Sequence, residues 1–163
     1  MKKITTNFTK LLGCDHPIIA GPMFLVSDEH LVSAVSNNGA IGAMPSLNWR
    51  TKTDFQMAIK KVKKLTNKPF GINLIVNKSN FRVNDDLEIC AEEKVPLVIT
   101  SLGNPKEVIR EANKIGSKVI ADVTNLEHAK KVQDMGADGV IAVGAGAGGH
   151  AGPISPVVLI PWL

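Results

Sequence analysis

Three observations predict a parallel α/β fold built from repeated βα units. Short β-branched apolar runs recur along the chain, each followed by a segment with helical spacing of its apolar residues. The runs are apolar almost throughout instead of alternating, the pattern of strands covered on both faces. Glycines punctuate the ends of the helical segments, as at Gly39, Gly116 and Gly136. With 163 residues, 44% hydrophobic and 21% charged, the composition is that of one globular domain over residues 1–163.

The elements follow in order. After a short amphipathic entry (Phe8, Leu11, Leu12), His16-Pro17 leads into a first strand at Ile18-Ile19, which ends in Gly21-Pro22-Met23. Ser27 is placed to cap a helix with Asp28 and Glu29 in its first turn and Leu31, Ala34 and Val35 on its apolar face. Residues 40–44 form the second strand, and Phe55, Ala58, Ile59, Val62 and Leu65 the face of the next helix. The third strand covers residues 70–76, interrupted by Asn73, and a helix between Asp85 and Lys94 follows. Residues 97–100 make the fourth strand. Asn104-Pro105 opens a helix bearing Val108, Ile109, Ala112 and Ile115. Residues 118–123 make the fifth strand, and Thr124-x-x-Glu127 reads as the capping box of a helix through Met135. A sixth strand (Val140, Ile141, Val143) runs into the glycine loop GAGAGGHAGP.

Composition narrows the function classes. The net charge of +4, from 19 basic and 15 acidic residues, lies largely on solvated helix faces such as Lys60, Lys61, Lys63 and Lys64, without the aromatic interleaving of a nucleic-acid surface. Cys14 and Cys90 are far apart and form no CxxC, which fits a reduced compartment. No apolar run reaches the length of a membrane span, and the start lacks the apolar core of a secretory signal, so a cytoplasmic protein is expected. No metal-ligand spacing is visible.

Two architectures repeat the βα unit. Gly144-x-Gly146-x-x-Gly149 matches the spacing of a dinucleotide-binding turn. A helix should open at the third glycine there, but Pro153 and Pro156 follow, and the loop closes the sixth unit instead of the first. Polar or glycine residues stand at the carboxyl ends of five strands: Gly21-Pro22-Met23, Asn73, Thr100-Ser101, Asp122 and Gly148-Gly149-His150. In a TIM-type (β/α)8 barrel such ends ring one mouth, where ligands bind. The expected fold is therefore that barrel, truncated to about six βα units.

The motifs that line this mouth resemble those of the nitronate monooxygenase (2-nitropropane dioxygenase) family. They are PIIAGPM at residues 17–23, VSNNGAIG at 35–42, KPFGINL at 68–74, TSLGNP at 100–105 and GADGVIAVGAGAGGHAG at 136–152. The resemblance implies an FMN-dependent oxidoreductase that oxidises alkyl nitronates or nitroalkanes with O2. The same group includes enoyl-acyl-carrier-protein reductases using NAD(P)H and FMN, which is the alternative. It further implies that Gly21, Pro22 and Met23 lie against the flavin ring, Asn73 hydrogen-bonds it, Asp122 sits near its polar edge, and Gly148 and Gly149 pass close to it. His150 would be the catalytic acid/base, taking the proton next to a nitro group.

Histidine suits that work on physical grounds, because an imidazole titrating near about 6.5 is a mostly neutral base at pH 7. The redox step must come from a cofactor. His16, His30 and His128 are read as structural, and Asn104 and Thr124 as caps. The family places its phosphate loops after strands seven and eight, and the apolar ending PVVLIPWL follows strand six. A third expectation is therefore an inactive fragment, poorly stable as a free monomer, that needs further βα units, a second copy or a complementing chain.

Overall fold

In the computed structural model, which describes residues 3–163, six strands form one parallel sheet in which each strand pairs with the next in the chain. The strands are β1 (Ile19–Ala20), β2 (Ile41–Pro45), β3 (Phe70–Ile75), β4 (Leu97–Ser101), β5 (Lys118–Val123) and β6 (Gly139–Ala142). The helices are α1 (Asn7–Leu12), α2 (Glu29–Asn37), α3 (Lys52–Leu65), α4 (Val83–Glu92), α5 (Lys106–Lys114), α6 (Leu126–Asp134) and α7 (Pro156–Trp162). A single 3₁₀ turn, Ser46–Asn48, follows β2. A doubly wound sheet would reverse its strand order partway across. The uninterrupted order here is that of six βα units of a TIM-type barrel.

Successive side chains of a strand point to opposite faces, and the two faces carry separate cores. The outer core packs Met44, Phe70, Ile72, Leu74 and Val98 from the sheet against Val32, Phe55, Ala58, Ile59, Val62, Leu87 and Cys90 of the helices. The inner core gathers Ile41, Ala43, Leu97, Ile99 and Ile120, with Ile19 and Ile141 beside them. Leu12, Phe8 and Leu11 close this inner core, so α1 serves as its plug. Thr6 and Thr9 fix that short helix by reciprocal capping bonds of 3.1 and 2.9 Å, and Gly13 ends it in the left-handed region.

Strand positions agree with the sequence reading to within a residue or two. Helix starts shift at four places. Helix α4 opens at Val83, two residues before Asp85, and Pro105 is the N-cap of α5 instead of its first helical residue. Ser27 does not cap α2; Asp28 does, its carboxylate accepting from the Leu31 N–H at 2.8 Å. Ser27 is buried instead, and its Oγ accepts from the Met23 N–H at 3.0 Å to close the turn after β1. Thr124 does not begin a capping box. Asn125, an equally good cap, stands one residue later in extended geometry and accepts from the His128 N–H at 2.8 Å. Glu127 is thereby freed to pair with Lys131 at 2.7 Å. The apolar ending forms α7, with Pro156 at its first turn, where a missing N–H costs nothing. Among the described residues no helix is long and apolar enough to cross a membrane.

Candidate active site

The inner face turns polar at the carboxyl ends of β3, β4 and β5. Counting by two from Leu97 and Ile99 brings Ser101 inward, and from Ile120 it brings Asp122 inward. Asn73 lies on the same face, paired in register with Ile99. These three side chains touch. The Asn73 amide donates to Ser101 Oγ at 2.8 Å and to the Ile99 carbonyl at 3.3 Å. The Ser101 hydroxyl in turn donates to Asp122 Oδ2 at 2.7 Å.

The chain of contacts ends on the loop after β6. His150 Nε2 lies 3.2 Å from the same Asp122 Oδ2. The loop is held at its neck by close backbone approach. The Ala145 N–H donates to the Ile154 carbonyl at 2.7 Å. A Cβ on Gly152 would stand 2.3 Å from the Val143 carbonyl oxygen, and one on Gly144 would stand 2.8 Å from Pro156. Glycine is therefore required at the neck by packing. At the tip the situation is opposite, since Gly148 and Gly149 have open space around them. No helix opens at Gly149, so the spacing of Gly144, Gly146 and Gly149 is not a dinucleotide turn.

Burial pushes the Asp122 carboxyl above its ordinary range, and the bonds from Ser101 and His150 offset part of that rise. The His150 side chain is 40% exposed and reaches a cavity of about 470 Å³. Leu102, Pro105, Val132 and Met135 give this cavity an apolar lining, with Asp122, Thr124, His128 and Lys131 among its polar groups.

The structure thus joins Asn73 to Asp122 by hydrogen bonds through Ser101 and brings His150 Nε2 to 3.2 Å from the same carboxylate, with Gly148 and Gly149 beside the histidine. Gly21, Pro22 and Met23 sit on the same rim, at the end of β1, without a hydrogen bond to that path. Gly21 has open space where a side chain would be, and Met23 is 46% exposed. Asn48 of the 3₁₀ turn holds this first loop, accepting from the Leu25 N–H and donating to the Ser27 carbonyl, both at 2.8 Å. Thr100, which shares the polar end of β4, points the other way and is buried in the helix layer.

Three residues to which the sequence reading gave no site role belong to this region. Ser101 is the hub between Asn73 and Asp122, a position that its strand end suggested but that only the parity of β4 in the folded sheet assigns. Thr124 and His128, read as structural, line the His150 cavity and contact each other at 3.2 Å. Among the described residues no group of three or more metal-ligating side chains is assembled.

The comparisons agree with this architecture. The family model described as nitronate monooxygenase matches residues 5–86 and 79–160. The chain is 36% identical over 161 residues to a (3aS,4S,5R,7aS)-5-hydroxy-7a-methyl-1-oxo-octahydro-1H-indene-4-carboxyl-CoA dehydrogenase of Rhodococcus jostii, covering 99% of this chain and 45% of that protein. It is 30% identical over 190 residues to a nitronate monooxygenase of Pseudomonas aeruginosa, covering 94% of this chain and 54% of that one. The solved structure of FabK from Thermotoga maritima superposes with a TM-score of 0.91 at 38% identity, over 96% of this chain and 50% of that chain. The chain spans about half the length of the curated relatives it matches.

Proposed function

Because the chain belongs to the nitronate monooxygenase family, we propose that its strand ends form the flavin-facing mouth of an FMN-dependent oxidoreductase that oxidises alkyl nitronates or nitroalkanes with O2. The observation that carries this reading is the chain of polar contacts from Asn73 through Ser101 and Asp122 to His150, across three strand ends and the sixth loop.

The residues fit such a cofactor. Both N–H groups of the Asn73 amide are used within the protein, which leaves its carbonyl oxygen as an acceptor for a ring N–H. Gly21, Gly148 and Gly149 offer backbone with no side chain in the way, and Pro22 and Met23 supply apolar surface for a flat ring. FMN, when bound, supplies the electron-accepting chemistry that these side chains lack. His150 takes the proton from the carbon beside the nitro group of a neutral nitroalkane, and Asp122 faces the cation that results. The apolar cavity wall of Leu102, Val132 and Met135 gives the alkyl part a surface to pack against.

A second reading, reduction of an enoyl thioester with NAD(P)H, is favoured by one observation. The Rhodococcus jostii relative, similar over nearly the whole chain, is named for a carboxyl-CoA, which is a thioester. Titration of the purified protein with FMN, followed by anaerobic mixing with an alkyl nitronate, separates the cases. Quenched flavin fluorescence and nitronate-dependent bleaching support the first reading. Bleaching by NADH, with reoxidation by an enoyl thioester and none by nitronate, supports the second. Failure to bind FMN overturns both for this chain and favours a fragment that needs a complementing chain or a second copy.

A further inference from the structure

The donors along the inner face all run in one direction. Asn73 gives both amide hydrogens away, one to the Ile99 carbonyl, which can only accept, and one to Ser101 Oγ. Ser101 has a single hydroxyl hydrogen, and its oxygen already receives the Asn73 bond. That hydrogen therefore goes to Asp122 Oδ2, at 2.7 Å. Asp122 Oδ2 is then an acceptor on both sides, and the imidazole nitrogen at 3.2 Å from it must be the one that carries hydrogen.

We infer that Ser101 and Asp122 are positioning residues that fix His150 as the Nε2–H tautomer, so that Nδ1 is the nitrogen that exchanges protons with substrate. This rests on the proposed role of His150 and adds which atom performs it and what holds that atom. The neutral imidazole has one donor and one acceptor nitrogen, and the partner of the first determines which is the base. A 40% exposed histidine on a glycine-rich loop has many rotamers to choose from. A single acceptor, anchored by Ser101 and through it by Asn73, selects one. Ser101 and Asn73 are each only 7% exposed, so the anchor sits within the sheet's packed inner face and not on the loop.

The test is nitrogen-15 NMR of the histidine rings in the 163-residue chain, without flavin or substrate, so its outcome is independent of whether the chain binds FMN. The wild-type protein should show neutral His150 with its proton on Nε2, exchanging with water about tenfold more slowly or better than the same proton in D122A, the range a hydrogen bond to a charged group gives. Ser101→Ala should lie between the two, because Asp122 keeps its place less well, and Ser101→Thr should restore the wild-type rate. A proton on Nδ1 in the wild type would overturn the inference, as would equal exchange in wild type and D122A. Should Ser101→Ala fail to fold, the wild-type tautomer and the D122A comparison decide alone.

Discussion

Two glycines four residues apart in the loop after β6 should respond oppositely to the same substitution. In Gly152→Ala the new methyl carbon would stand 2.3 Å from the Val143 carbonyl oxygen and 3.1 Å from two carbons of Thr124. An ordinary close C···O approach is about 3.3 Å, so something must move by roughly 1 Å. The obstacle is backbone at the end of a strand, and the Val143 N–H is itself tied to the Val123 carbonyl at 2.8 Å, so the shift is resisted. Overpacking of this kind costs about 1–3 kcal/mol. For a chain of this size each kcal/mol lowers the melting temperature by about 2–4 °C, so a drop of roughly 2–12 °C is expected. In Gly148→Ala the methyl meets nothing within 4 Å, and a change of no more than about 0.5 kcal/mol is expected. Thermal melts followed by circular dichroism, with wild type, G148A and G152A at equal concentration, provide the comparison. A G152A melt within about 1 °C of wild type, or equal losses in the two variants, would refute the claim that the loop is pinned by backbone contact at its neck.

Further outcomes follow from the same geometry. Phe55 is fully buried in the outer core, and Phe55→Ala should cost about 3–5 kcal/mol in urea denaturation; less than 1 kcal/mol would mean that the helix layer is loosely packed. Burial raises the Asp122 carboxyl above its unfolded value, so its contribution to stability is complete below the unfolded pKa and is lost as pH rises through the folded one. Asp122→Asn should therefore gain stability relative to wild type as pH is raised through that window, measured by denaturant melts at a series of pH values; a constant difference would contradict the burial argument. On the proposed function, His150→Ala should retain FMN while losing about 10²- to 10⁴-fold in turnover of neutral nitroalkane, and stopped-flow rates that match wild type would remove His150 from the chemistry. Asn73→Leu should weaken FMN binding, read by fluorescence titration.

The order of the six strands and of the five helices between them was legible in the sequence, because short continuous apolar runs alternate with segments whose apolar residues recur at helical spacing, and because glycine, proline and capping residues mark their ends. The sequence by itself also determined that polar groups gather at strand ends, since Asn73 and Asp122 interrupt otherwise apolar runs. It did not separate Ser27 from Asp28, or Thr124 from Asn125, as caps. Adjacent residues of similar propensity compete there, and only the path of the entering chain selects one. Nor did it reveal the inward parity of Ser101, because strands buried on both faces show no alternation to count from. The sheet's curl decided that parity, by assigning Leu97 and Ile99 to the plugged interior and Val98 to the helix layer. Tertiary structure likewise brought His150 to Asp122. Residues 28 apart meet at 3.2 Å only because β5 and β6 are neighbours and two glycines clamp the neck of the loop that returns the imidazole to the strand ends.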